Sequence, residues 1–265
     1  MKKNILKIGI VGLGSVGQGV VKILEENHSL IENKTNTDIE IIGIAAKDKS
    51  KKRDIDAERY KWFDDPRMLA EYEPLDLLIE LIGGEDGVAF DVVERAINAK
   101  KNVITANKAL LAKHGNYLFE LAESNNVSLL YESAVAGAIP IIKILKESVA
   151  SNNITALYGI LNGTCNYILT SMEREGIIFE DALQRAKDLG FAESDPTFDI
   201  EGFDAAHKLS ILSSVSFSQG ISFNDISIEG IKNISLDDIM AANEYGYKIK
   251  LLGIAKKINN KLIQN

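Results

Sequence analysis

Between Gly190 and Lys208 the chain reads Gly-Phe-Ala-Glu-Ser-Asp-Pro-Thr-Phe-Asp-Ile-Glu-Gly-Phe-Asp-Ala-Ala-His-Lys, five carboxylates and one lysine where a loop enters an apolar helix. Such crowding costs solvation energy, and it suits a zwitterionic amino acid: carboxylates hold an ammonium group while a positioned lysine moves a proton. Asp204 and Lys208 stand four apart and share one helix face. An ordinary surface ion pair at that spacing contributes only about 0.3–0.5 kcal/mol. It does not account for Glu193, Asp195 and Asp199 on the same loop, or for Leu209, Ile211 and Leu212 making the helix largely apolar.

Proton transfer needs a partner chemistry, and the N-terminal residues supply one. The apolar run from Ile5 to Val11 is followed at once by Gly12-Leu13-Gly14-Ser15-Val16-Gly17 and then by helical spacing at Val20, Val21, Ile23 and Leu24. Strand, glycine turn and helix in that order form a dinucleotide site. Gly12 makes the turn, Gly14 lets the pyrophosphate approach the backbone, and Gly17 packs helix on strand. The diphosphate sits on the helix N-terminus, whose N–H groups and dipole favour an anion. The next strand, 39–46, ends in Ala45-Ala46-Lys47. No acid stands there for a ribose 2′-hydroxyl, and Lys49, Lys51, Lys52 and Arg53 follow. That leans towards a 2′-phosphate and NADP, with NAD kept open by Asp48.

Further β and α units follow. Asp65-Pro66 opens a short helix, Asp as N-cap and Pro in the first turn. Residues 75–82 read as a strand buried on both faces, closed by Gly83-Gly84. Residues 88–99 read as an amphipathic helix, 102–105 as a strand, and 25–38 as a polar connector made of a helix end and loop. This alternation predicts a parallel, doubly wound α/β sheet over 1–131. Ligands bind beyond the carboxyl ends of such strands, which points to Gly83, Thr105 and Lys108 as cofactor contacts. A strand over 127–131 ends this domain, and the small residues from Ser133 to Ala138 permit a tight turn into a helix.

From 132 to 265 the pattern predicts an α+β domain of helices on a small antiparallel sheet. Strands are expected over 154–161 and 247–258, and helices over 165–174, 179–189 and 203–217, with one capped by Ser235 and Asp238. Asn162-Gly163-Thr164 opens the first of these helices, either as a site for a carboxylate or as a simple N-cap.

Composition bounds the readings. A length of 265 residues, 46% hydrophobic, favours two domains. A formal charge of −8 argues against nucleic acid and anionic membranes as partners. A single cysteine, Cys165, excludes an intrachain disulfide and suits a reducing cytoplasm. No run is long and apolar enough for a bilayer, and the Met-Lys-Lys-Asn start does not read as a signal peptide.

Five blocks together resemble homoserine dehydrogenases. They are Gly-Leu-Gly-Ser-Val-Gly at 12–17, Val-Ile-Thr-Ala-Asn-Lys-Ala-Leu at 103–110, Tyr-Glu-Ser-Ala-Val-Ala-Gly-Ala-Ile-Pro at 131–140, Gly-Ile-Leu-Asn-Gly-Thr-Cys-Asn-Tyr-Ile-Leu at 159–169, and the stretch 190–208. The resemblance implies a Rossmann domain followed by a catalytic and dimerisation domain. It implies interconversion of L-homoserine and L-aspartate 4-semialdehyde with NAD(P), in threonine, methionine and isoleucine biosynthesis. In that reading Lys208 is the catalytic proton donor and Asp199 supports it. Glu193 and Asp204 hold the substrate amino group, Thr164 is a further substrate contact, and Lys108 contacts cofactor and substrate. A sodium ion falls on Glu132, Val135, Gly137 and Ile139, mostly as backbone carbonyls, and the family forms homodimers. Phe191 stands where many members carry tyrosine. The family continues past the position of Asn265 with a Gly-rich segment that returns to the nucleotide domain, often followed by a regulatory domain, so the resemblance implies a shortened chain. Two alternatives stay open: another Rossmann oxidoreductase of an amino acid or semialdehyde, and a catalytically silent nucleotide-binding module.

Overall fold

Val11, Gly12 and the helix that follows fix where the first strand ends. A computed structural model describes residues 4–259 and 261–265; Met1 to Lys3, part of the start weighed above as a signal peptide, lie outside the described residues. The chain divides into two units, one up to Pro140 and one from Ile141. Among the described residues no helix is long and apolar enough to cross a membrane.

In the first unit β1 (Asn4–Val11), β2 (Thr37–Ala45), β3 (Leu77–Glu80), β4 (Asn102–Thr105) and β5 (Leu129–Leu130) form a parallel sheet in the order β2-β1-β3-β4-β5. The order reverses beside β1, so the ends of β1 and β3 open a crevice for a ligand. Burial deepens along β1 until its last four residues are all buried, as a central strand covered on both faces requires. Between the strands run α1 (Ser15–Glu26), α2 (His28–Thr35), α3 (Pro66–Ala70), α4 (Val88–Asn98) and α5 (Lys108–Ser124). Asp65 caps α3 by accepting from the N–H of Arg67, and α4 buries Ala89, Val92, Val93, Ala96 and Ile97 on one stripe.

Helix α2 corrects the connector expected over 25–38. It buries no residue and ends on Asn36 in the left-handed region, at φ 53°. A helix with no buried face leaves no apolar period in its sequence to be read.

The second unit holds α6 (Ile141–Lys143), which runs into a π turn over Ile144–Ser148, then β6 (Ala156–Gly159), α7 (Gly163–Glu175), α8 (Phe179–Asp188), α9 (Thr197–Ile200), α10 (Phe203–Phe217), α11 (Leu236–Glu244), β7 (Gly253–Ile258) and β8 (Lys261–Gln264). The sheet β6-β7-β8 is antiparallel. Helix α10 is buried along most of its length, from Asp204 to Ser213, and is the centre of this unit. The capping box of Ser235 and Asp238 forms at α11.

Only the last half of the strand expected over 247–258 is one. Asn166 explains why: its side chain donates to Leu251 O at 3.1 Å and accepts from Leu251 N at 3.0 Å. An amide that satisfies both backbone groups replaces a neighbouring strand at that residue.

Gly230 marks the tightest packing around the acidic loop. A Cβ there would lie 2.2 Å from Ile200 O and 2.6 Å from Glu201 Cα, and neither atom is the flexible end of a side chain. Gly230→Ala is therefore expected to lower unfolding free energy by about 1–3 kcal/mol, the usual cost of overpacking. A shift of the urea midpoint measures it, and an unchanged midpoint would contradict the packing.

Candidate active site

The two ends of the glycine turn are closed by backbone and its middle is open. Gly12 lies at φ 97°, its N–H bonds Ala45 O at 2.9 Å, and a Cβ would fall 2.4 Å from Leu81 O. A Cβ on Gly17 would fall 1.9 Å from Gly12 O, whereas one on Gly14 would meet nothing within 4 Å. Leu13 is buried beneath the turn, while Gly14, Ser15 and Val16 face outward at the start of α1. The arrangement suits a diphosphate: open backbone, a helix N-terminus and no acidic residue in the first turn.

Beyond β2, Lys47 is exposed. Asp48, the acid that kept NAD open, is occupied locally. Its Oδ1 accepts from Ser50 N at 2.8 Å and Ser50 Oγ at 2.7 Å, and these bonds hold its carboxyl below the usual range. Arg53 donates to Asp48 O at 2.5 Å and to Lys51 O at 2.9 Å, with its guanidinium 5.4 Å from the centre of the Trp62 ring. The loop is thus shaped by its own arginine, and Lys49 Nζ lies 5.8 Å from the centre of the same Trp62 ring.

At the ends of β3 and β4 stands a residue the sequence reading passed over. Glu80 is fully buried; Oε1 accepts from the N–H groups of Ile82 at 2.7 Å and Gly83 at 3.3 Å, and Oε2 from the Thr105 hydroxyl at 2.5 Å. Thr105 Oγ1 accepts in turn from Asn107 N at 3.0 Å. Asn107 donates to Gly84 O at 2.6 Å and caps α5 through Leu110 N at 3.1 Å, which sets Lys108 in the first turn. The Thr105 hydroxyl is therefore committed inside the protein, and Gly83 and Gly84, at φ 84° and 87°, are held with open space around them. Further on, Glu132 begins a single 3-10 turn, Val135 is extended and buried, and Gly137 lies between Ala136 and Ala138, both left-handed at φ 50° and 70°. Ile139 is exposed and its N–H bonds Ala136 O at 2.9 Å.

In the second unit the acidic stretch divides. Lys208 Nζ donates to Asp204 Oδ2 at 2.6 Å and to Leu161 O at 2.8 Å. Asn162 Nδ2 donates to Asp199 Oδ1 at 2.7 Å and to Asp204 Oδ2 at 2.8 Å. Lys208, Asp204 and Asp199 are thus one cluster, with the Asp204 side chain 7% and the Lys208 side chain 21% exposed. Glu193 lies exposed on the loop that carries the cluster. Thr164 donates to Phe191 O at 2.6 Å, tying that loop to the start of α7. Asp195 accepts from the N–H and hydroxyl of Thr197 at 3.1 and 2.6 Å, and Glu201 lies 3.7 Å from Lys232. Burial, then the charges of Asp199 and Asp204, push the Cys165 thiol up to about 12, which leaves it protonated and unreactive.

Comparison with known proteins matches both units. The profile of the homoserine dehydrogenase NAD-binding domain covers residues 12–132, and that of homoserine dehydrogenase covers 140–264. A structure of a putative homoserine dehydrogenase from Archaeoglobus fulgidus is 34% identical, with a TM-score of 0.86 over 98% of this chain and 82% of that one. The chain belongs to the homoserine dehydrogenase family. The homoserine dehydrogenase of Thiobacillus denitrificans superposes with a TM-score of 0.93 at 40% identity, over 99% of this chain and 62% of that one. The Neisseria gonorrhoeae enzyme is 43% identical over 95% of this chain, which spans 58% of that relative's length.

Within this homoserine dehydrogenase fold, Glu80 and Asn107 were not singled out from sequence, and Asn162 was read only as part of a helix start, as a carboxylate site or an N-cap. A glutamate that closes an otherwise apolar strand, with a glycine pair three and four residues on, is a signal, because a buried charge needs donors and the following loop offers N–H groups. The glycine turn yields a paired test. Gly14→Ala, at φ −74° with open space, is expected to keep the melting temperature and weaken cofactor binding, whereas Gly17→Ala destabilises the fold itself. Thermal melts and cofactor titration separate the two, and equal melting losses would contradict the assignment.

Proposed function

We propose that this chain is the catalytic region of a homoserine dehydrogenase that interconverts L-homoserine and L-aspartate 4-semialdehyde in the cytoplasm, with NADP as the preferred cofactor. The observation that carries the reading is the Lys208 ammonium, fixed by Asp204 at 2.6 Å and Leu161 O at 2.8 Å. A lysine ammonium has three hydrogens. With two directions set by the protein, the third serves the substrate carbonyl oxygen.

The bound nicotinamide supplies or accepts the hydride. The protein supplies the rest. In aldehyde reduction the Lys208 ammonium gives a proton to the developing alkoxide, and in homoserine oxidation its deprotonated amine takes one from the hydroxyl. Asp199 belongs to the cluster that orients Lys208. Glu193 and Asp204 hold the substrate ammonium, Thr164 steadies the loop beside it, and Lys108 serves cofactor and substrate. Gly12 to Gly17, with Leu13, Ser15 and Val16 between, cradle the diphosphate, and Gly83 and Thr105 border the same cofactor. Lys47 meets the 2′-phosphate, a role supported by its exposure and by the commitment of Asp48 to Ser50. A sodium ion on Glu132 and the carbonyls of Val135, Gly137 and Ile139 fits a segment where Ala136 and Ala138 turn the backbone sharply. A homodimer through the second unit fits β6, an edge strand with Tyr158 63% exposed.

Two measurements test this reading. Homoserine-dependent reduction of NADP is expected, and Lys208→Ala should lower kcat by a factor on the order of 10²–10⁴ while cofactor affinity stays as it was; equal losses of turnover and affinity would sink the assigned role. Lys47→Glu should weaken NADPH binding far more than NADH binding in fluorescence titrations, and a matching loss for both cofactors would remove Lys47 from the 2′-phosphate.

A further inference from the structure

Asn162 is 3% exposed, and its side-chain oxygen and nitrogen are both hydrogen-bonded within the protein. Its Oδ1 accepts from Cys165 N at 2.8 Å. That bond fixes which end of the amide is which: a flipped side chain would aim its oxygen at two carboxylates and its NH₂ at a backbone N–H. Both hydrogens of Nδ2 are then used, one on Asp199 Oδ1 at 2.7 Å and one on Asp204 Oδ2 at 2.8 Å. Asp204 Oδ2 also receives Lys208 Nζ at 2.6 Å.

Two carboxylates brought this close repel each other, and burial strengthens the repulsion. An amide can bridge them without adding charge, whereas a second lysine would compete for Asp204 and a carboxylate would add to the repulsion. The same turn acts twice on Lys208. Its preceding residue, Leu161, accepts from the ammonium directly at 2.8 Å, and Asn162 reaches the ammonium through Asp204.

We propose that Asn162 is a positioning residue for Lys208: its amide clamps Asp199 to Asp204, so that Asp204 holds the ammonium with one hydrogen directed to substrate. The inference rests on the reading of Lys208 as the proton-transfer group, and Asn162 acts in it through Asp199 and Asp204.

Asn162 also caps α7, so the test must keep the cap. Serine is about as good an N-cap as asparagine but carries no amide to bridge two carboxylates. Asn162→Ser is expected to keep the melting temperature and the KM for cofactor, and to lower kcat by a factor on the order of 10², the loss that a misplacement of about 1 Å can cause. Independently of turnover, Lys208 released from the clamp should be acetylated several-fold faster in a pulse of acetic anhydride read by peptide mass spectrometry, with Lys256 as internal reference. Should the serine variant unfold, Asn162→Thr keeps a neutral cap oxygen without the amide and is read the same way. Unchanged kcat together with unchanged Lys208 labelling would overturn the clamp and leave Asn162 a helix cap. A parent chain without homoserine-dependent turnover would refute the functional reading instead, and the labelling ratio would still decide the clamp.

Discussion

The carboxylate of Asp204 is the constraint around which the second unit is built. A buried charge is tolerated only when paired and hydrogen-bonded, because burial otherwise costs several kcal/mol. Asp204 is 5% exposed and has a lysine one turn away and an amide from another helix start. Those partners dictate where the β6–α7 turn, the acidic loop and α10 must meet. Helix α10 is apolar around the pair, so a shift of the helix would cost packing as well as a charge contact. Lys208 is therefore held by two hydrogen bonds at the end of a long side chain that would otherwise pay entropy to stay in place.

The first unit solves a similar problem with the same means. Glu80, fully buried at the end of β3, draws in two backbone N–H groups and the Thr105 hydroxyl. Through Thr105 and Asn107 the network reaches Gly84 O, so that two successive strand ends are locked to each other. The glycines of that loop contribute backbone shape, and the buried carboxylate holds the shape. In both units an acid that is itself withdrawn from solvent orders the exposed chain beside it.

Where pattern and physics coincide, the sequence was legible. The strand over Asn102–Thr105, the helix over Phe203–Phe217 and the Ser235 capping box were read at their observed limits, because each has strong local punctuation. Asp204 and Lys208 were legible as a pair from helical spacing alone. Long-range partners were not. Nothing local to Asn162 shows that its amide would meet residues 37 and 42 positions away, and as a cap it already had a sufficient explanation. Helix α2 was missed for the opposite reason, having helix-compatible residues and no buried face. The 247–258 segment misled because its apolar residues pack, while Leu251 takes its backbone partners from a side chain rather than a strand.

The phenylalanine at 191 follows from the same logic of support through the backbone. Where a tyrosine would offer a hydroxyl, Phe191 offers only its ring, which lies 4.7 Å from that of Tyr167. The loop does not lose its anchor, since Thr164 bonds the carbonyl of residue 191, a group present whatever the side chain. A hydroxyl at 191 could add a contact to a ligand, but it is not needed to keep Glu193 on its loop. The position can therefore vary in chemistry while the geometry of the acidic stretch persists. Cys165 can vary for a different reason: its thiol, buried beside Asp199 and Asp204, stays protonated and takes no part in the proton economy of the cluster. What cannot vary freely is the uncharged amide between the two acids, because apart from glutamine, which is one methylene longer, no common side chain offers two N–H donors on one uncharged nitrogen.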